Sequence, residues 1–204
     1  MIRIFALKLI LITLFNFNSF AEEVSVFNFT KEEFDNLTVR KIKKKTKYTL
    51  GSNENGNFLK AEAEGQASGL GKEILINLNK TPFLNITWKV EKDLSGIDEK
   101  SKKGHDYAAR VFVIKKTGST ALSNRAINYV FSSNEEIGQY WRSPFTKKSI
   151  DYVLATTKTN NNEWVTVKTN VKEDFKKLHD LDVNELNGVA IMTDTDNSKI
   201  KSIA

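Results

Sequence analysis

The chain has 204 residues, 31 Lys and Arg against 25 Asp and Glu for a formal charge of +6, and no cysteine. That length fits one domain with a core able to stand without cross-links. The missing cysteine excludes disulfides, a thiol nucleophile and lipid attachment through a cysteine.

The first residues, "MIRIFALKLILITLFNFNSFAEE", place Arg3 and Lys8 before an apolar stretch that ends in Ser19-Phe20-Ala21. A charged start, a short apolar run and a small-x-small end predict a secretory signal peptide over 1–21, cleaved after Ala21. The run is short for a membrane span, and Asn16 and Asn18 interrupt its end. The expectation is a periplasmic or secreted bacterial protein, with no transmembrane segment after signal cleavage. Losing Arg3 and Lys8 takes the charge from +6 to +4.

The remainder, 22–204, reads as a single β domain. "VSVFNF" and "TKYTL" form a weak early pair of strands. The lysine-rich "RKIKKKTK", Arg40 to Lys47, lacks interleaved aromatics, so it reads as a solvated face with no nucleic-acid partner. "NFLKAEAEG" alternates with period two, as do "SGLGKEILINL" and "PFLNITWKV", whose apolar side carries Trp88 toward the core. "DYAARVFVI" is apolar on both sides apart from Arg110, the pattern of a central strand. "RAINYVFS", "SIDYVLATT", "NEWVTVKTN" and "NGVAIMT" complete the set.

Turn signals such as "GSNENGN", "KKTGST" and "TNNN" separate these strands at short intervals. The predicted fold is all-β, an antiparallel β-sandwich of jelly-roll type with one accessory α-helix. That helix is "NVKEDFKKLHD". Asn170 is its N-cap, Glu173 sits at capping-box spacing, and Val171, Phe175 and Leu178 form one apolar stripe.

Three groups of residues could carry chemistry. Asp106 and Arg110 share strand parity with Ala108, Phe112 and Ile114, so the guanidinium lies on an apolar face. A buried guanidinium needs an anionic partner. Asp106 lies roughly 13 Å away along an extended strand, so a cross-strand carboxylate, Asp151, Asp194 or Asp196, is the better expectation. The pair either fixes strand register or floors a ligand cleft. The second group, "TDTDN", offers Asp194, Asp196 and Asn197 as oxygen ligands for a structural calcium, or as turn residues. The third is aromatic. Trp164 shares a face with Thr166 and Lys168 while Val165 and Val167 point away, which makes it an exposed platform. Trp141, in "GQYWRSPF", is either a second platform or a plug at one end of the fold.

No GxSxG, HExxH or phosphate-binding glycine loop is present, and the histidines, His105 and His179, lie on different elements. Composition and motifs point to a non-catalytic module recognising a glycan, with Arg110, Trp164, Trp141 and Asp106 as ligand contacts. The alternatives are a polysaccharide hydrolase using two of Glu62, Glu64, Asp106, Asp194 and Asp196, a lyase using Arg110 with Tyr129 or His105, or an envelope scaffold without a small ligand.

"HDYAARVFVI", "RAINYVF", "WxSPFT", "WVxVxxNVxxDF" and "GVAIMTDTDN" occur in one order. Together they resemble the bacterial secreted family catalogued as domain of unknown function 3047. The resemblance covers nearly the whole mature chain. It implies an exported β-sandwich and assigns no activity to its motif positions, here Asp106, Arg110, Trp141, Trp164, Asp174, Asp194, Asp196 and Asn197. Family members usually carry a second acid where this chain has His105. They also usually continue past the aspartate-rich turn into a last strand with a Tyr-Gly-Asp-like start, so the end at Ala204 reads as a truncation or a lost strand.

Overall fold

The computed structural model describes residues 23–120 and 123–204. The expected leader over 1–21 lies outside the described residues. The described chain is mostly β, with several sheets, two helices and no barrel.

The largest sheet has seven strands. In spatial order they are β1 (Thr38–Lys41), β4 (Ala67–Asn77), β11 (Glu185–Asp194), β6 (Tyr107–Lys115), β7 (Arg125–Ser132), β9 (Ser149–Thr156) and β8 (Tyr140–Arg142). The apolar run read as a central strand is central: β6 lies between β11 and β7. The lysine-rich stretch begins on β1, an exposed edge strand, where charge blocks edge-to-edge pairing.

One pairing differs from the antiparallel expectation. β7 and β9 run parallel, from Ala126 opposite Ser149 to Ser132 opposite Thr156. The chain leaves β7, passes to the sheet edge as β8, and turns back antiparallel to it as β9. A hairpin that returns from outside must run alongside β7 in the same direction. The periodicity of each segment carries no information about that route.

The smaller sheets are β2 (Lys47–Asn53), β3 (Gly56–Glu64) and β12 (Lys201–Ile203), in the order β12-β3-β2, and the pair β5 (Phe83–Trp88) with β10 (Val165–Asn170). A bridge between Lys92 and Ile203 links them, with Glu91 and Lys92 amides donating to the Ile203 carbonyl at 2.9 and 3.1 Å. One face of the large sheet, through Val111, Val113, Ile127, Tyr129 and Val189, joins Ile86 and Trp88 of β5 in the main core.

The helix expected near residue 170 is α2, Val171–His179. The Asn170 side chain accepts from the Glu173 amide at 3.2 Å, and Asp180 closes the helix in the left-handed region with φ 51°. Burying Val171, Phe175 and Leu178 stabilises this packing by about 1.5–3 kcal/mol per side chain. A second helix, α1 (Lys31–Asn36), corrects the expectation of one. Thr30 caps it, and the Glu33 carboxylate accepts the amides of Asn28 and Phe29 at 2.7 and 2.8 Å. Those contacts hold "VSVFNF" outside any sheet. The signal was present in the sequence as Thr30 followed three residues later by Glu33.

Candidate functional site

A polar cluster forms where β6 and β11 leave their regular register. Arg110 lies opposite Met192, but Asp194 lies opposite Tyr107. Two residues of β6, Ala108 and Ala109, therefore face Thr193 alone, which is a β-bulge. Thr193 Oγ1 stitches it by donating to the Ala108 carbonyl at 2.6 Å. The extra residue breaks the period-two parity and puts Tyr107 on the side of Arg110.

Asp194 is the cross-strand partner of Arg110. Nη2 meets Oδ2 at 2.5 Å, with side chains 6% and 3% exposed. The guanidinium lies between the rings of Tyr107 and Phe112, 5.2 and 5.1 Å from their centroids, with the Met192 sulfur 3.4 Å away. Asp106 has a separate task. It accepts from the Asn197 amide at 3.2 Å, the Asn197 side-chain NH2 at 2.9 Å and the Ser198 amide at 2.5 Å. Asn197 also donates to the His105 carbonyl at 3.2 Å. The "TDTDN" stretch is thus a turn pinned by a buried carboxylate.

Asp106, Asp194 and Asp196 each bring a carboxylate oxygen within 4.8 Å of the others. Asn197 joins them as a donor through its NH2. Burial pushes the Asp194 carboxyl up to about 7; Arg110 and the Tyr107 amide pull it down, and the carboxylates of Asp106 and Asp196 add to the rise. Hydrogen bonds from neutral amides engage Asp106, and the ion pair with Arg110 engages Asp194.

Next to this cluster, Gly104 lets the chain pass close to Asp98, because a Cβ at Gly104 would lie 2.4 Å from the Asp98 carbonyl. That passage delivers His105, whose Nε2 lies 2.8 Å from Asp151 Oδ2, while Asn128 donates to Asp151 Oδ1 at 2.7 Å. Phe145 and Tyr107 pack edge-on to the imidazole. Trp141 is half-buried against Tyr107, Val130 and Val153, and the Lys100 ammonium lies 5.1 Å from its ring. The imidazole–carboxylate pair is legible only in three dimensions, since residues 105 and 151 meet through β9. Glu99 is another buried acid that its sequence hides. "DEKSKKG" reads as solvated, yet Glu99 accepts from Ser132, Ser133 and Asn134, and burial raises its pKa.

Arg110 and Tyr129 do not meet. Arg110 pairs with Val130 and Val111 with Tyr129, so the two occupy opposite faces of the sheet. Tyr129 donates to Asp174 at 2.8 Å within the main core.

Trp164 lies apart from the polar cluster. It is 45% exposed and packs edge-on against Phe58 at 5.6 Å. Phe83, Asn85 and Thr87 of β5 share the outer face with Thr166 and Lys168 of β10, as the register requires. Thr87 and Thr166 hydroxyls lie 2.8 Å apart, and the Lys168 ammonium is 4.4 Å from the Phe83 centroid. The strip from Phe83 to Trp164 runs roughly 20 Å along the strands. Alternation in "NEWVTVKTN" gave Trp164 and its polar neighbours. Phe58 and Phe83 came from other strands and carried no joint signal.

Among the described residues, no helix is long and apolar enough to cross a membrane. A comparison with curated proteins finds no match. The model of the family described as "Protein of unknown function (DUF3047)" matches residues 32–204, and the chain belongs to that family.

Proposed function

We propose that this chain is an exported, non-catalytic module that recognises a periplasmic or extracellular glycan on the outer face of β5 and β10. The observation that carries the reading is the exposed Trp164, set against Phe58 and continued by Thr166, Thr87, Asn85 and Lys168. Sugar rings offer C–H faces that stack on indole and phenyl rings, while their hydroxyls require nearby donors and acceptors. This strip supplies both in one line. A leader peptide over 1–21 would deliver the chain. We read the sheets as the two layers of a β-sandwich of jelly-roll type, with the parallel β7–β9 pair as a local departure.

Arg110, Asp106 and Trp141 fall to structure in this reading, because the Arg110 guanidinium is paired with Asp194, the Asp106 carboxylate is held by Asn197 and the Trp141 ring packs against Tyr107, Val130 and Val153. The "TDTDN" turn likewise serves as an anchor for Arg110 before any calcium. Titration calorimetry with oligosaccharides cut from acidic and neutral polysaccharides tests the proposal. One glycan class binds, and Trp164→Ala weakens it at least about tenfold with the melting temperature retained. Unchanged affinity in that variant, or no binding across both classes, overturns it.

A further inference from the structure

The sheets do not close against each other over their whole facing area. A cleft of about 1020 Å³ opens between the large sheet and the smaller ones and extends past Phe58, Phe83 and Trp164 at its border. Ala109, Val111 and Ile191 wall one side, and Leu59, Ile86 and Trp88 the other. Protein interiors are normally packed to crystal-like density, so an opening of this size with apolar side chains in its wall is not ordinary core. Ala109, Ile191 and Leu59 remain half-buried although each is apolar and inward-facing. The volume lies at the upper limit of small-molecule sites, about 300–1,000 Å³.

The wall also carries a polar handle. Trp88 Nε1 is buried with no hydrogen-bond partner among the described residues. Apolar pockets with a few placed polar groups are the usual form of a small-ligand site. Charge at the border has one sign in excess: Lys60, Lys80, Lys89 and Lys168 against Glu23 and Glu91. An apolar interior with a cationic border fits a molecule with a long apolar chain and an anionic head.

We infer that the cleft binds the apolar chain of an anionic amphiphile, a fatty acid or a single-chain anionic phospholipid, with its head group among Lys60, Lys89 and Lys168. The apolar walls face inward from β5, while the border shares Lys168, Trp164 and Phe58 with the glycan strip; stearate binding and oligosaccharide binding are therefore read by separate measurements. Either reading can fail without the other.

The test uses dibromostearate below its critical micelle concentration, because bromine quenches indole fluorescence on contact and Trp88 is in the wall. Wild-type fluorescence falls saturably, and native mass spectrometry of the unmodified protein with stearate finds one molecule per chain. Ala109→Trp fills the cleft and weakens quenching at least tenfold. Lys60→Gln with Lys168→Gln weakens stearate binding severalfold but leaves stearyl alcohol unaffected. Lysophosphatidylglycerol compared with stearate separates the two sources of anionic head. Absence of a one-to-one complex in the wild type overturns the inference whatever the variants do. Quenching unchanged by Ala109→Trp in a folded sample places the chain elsewhere and also overturns it.

Discussion

Two regions of this protein present polar groups beside aromatic rings, and they use them in opposite ways. Around Arg110 and Asp194 the charges point inward, the rings of Tyr107 and Phe112 cover the guanidinium, and each carboxylate except Asp196 has donors at hydrogen-bond distance. Around Trp164 the rings point outward and the polar groups of Thr166 and Lys168 stand in solvent. A charge withdrawn from water must be compensated on the spot, so the first region is committed to holding its own turn together. An aromatic ring left in water costs free energy that only a partner can recover. Residue type is similar in the two places, and accessibility separates stability from recognition.

Mutations can break that comparison, beginning with the largest effect. Asp194→Ala leaves Arg110 buried without its anion, and unfolding in urea is expected to show a loss of about 3–5 kcal/mol. Binding by whatever fraction remains folded is unchanged. If Asp194→Ala instead kept its stability and lost ligand, the inward cluster would be a site and the contrast would fail. Replacing both partners, Arg110→Met with Asp194→Leu, recovers most of that loss, because an apolar pair of similar volume removes the desolvation penalty.

The next effect is in pH. Burial raises the Asp194 carboxyl from an unfolded 3.8 to about 7 in the fold. The folded state then holds the proton more tightly than the unfolded one. Its stabilising contribution is complete below the unfolded value and is lost as pH climbs through about 7. Melting temperatures of the wild type should therefore fall relative to Asp194→Asn between acid and neutral pH. Parallel curves would show that Asp194 stays ionised throughout and that Arg110 outweighs burial.

A smaller loss sharpens the reading of α2. Asn170→Ala removes the acceptor for the Glu173 amide and is expected to cost about 1 kcal/mol, read from the denaturation midpoint. The smallest effect is that of calcium. With Asp106 and Asp194 already satisfied by protein donors, millimolar calcium should leave the melting temperature unchanged. A rise reversed by chelator would assign Asp106, Asp194 and Asp196 to a metal.

How legible the site was depended on the kind of contact. The Trp164 face was readable because strand alternation is local. Asp194 as the partner of Arg110 was readable as one of three carboxylates, since burial requires a counter-charge but does not choose it. The register of β6 against β11 makes that choice, because Met192 lies opposite Arg110 and Asp194 is two residues along the same face. The pairing of His105 with Asp151, the burial of Glu99 and the cleft between the sheets left no trace in any single segment. Each depends on segments distant in the chain.

The sequence by itself determined the β-rich character, the position and cap of α2, the core side of most strands and the membership in the family. These follow from short-range periodicity and from motif order, which the chain carries wherever it is placed. Only the tertiary structure decided the parallel β7–β9 pair, the register that sets Asp194 beside Arg110, and the open space beside Trp88. Those depend on register and on the distance between sheets, and both are set by packing between residues far apart in sequence, where loop closure offers many routes of similar free energy.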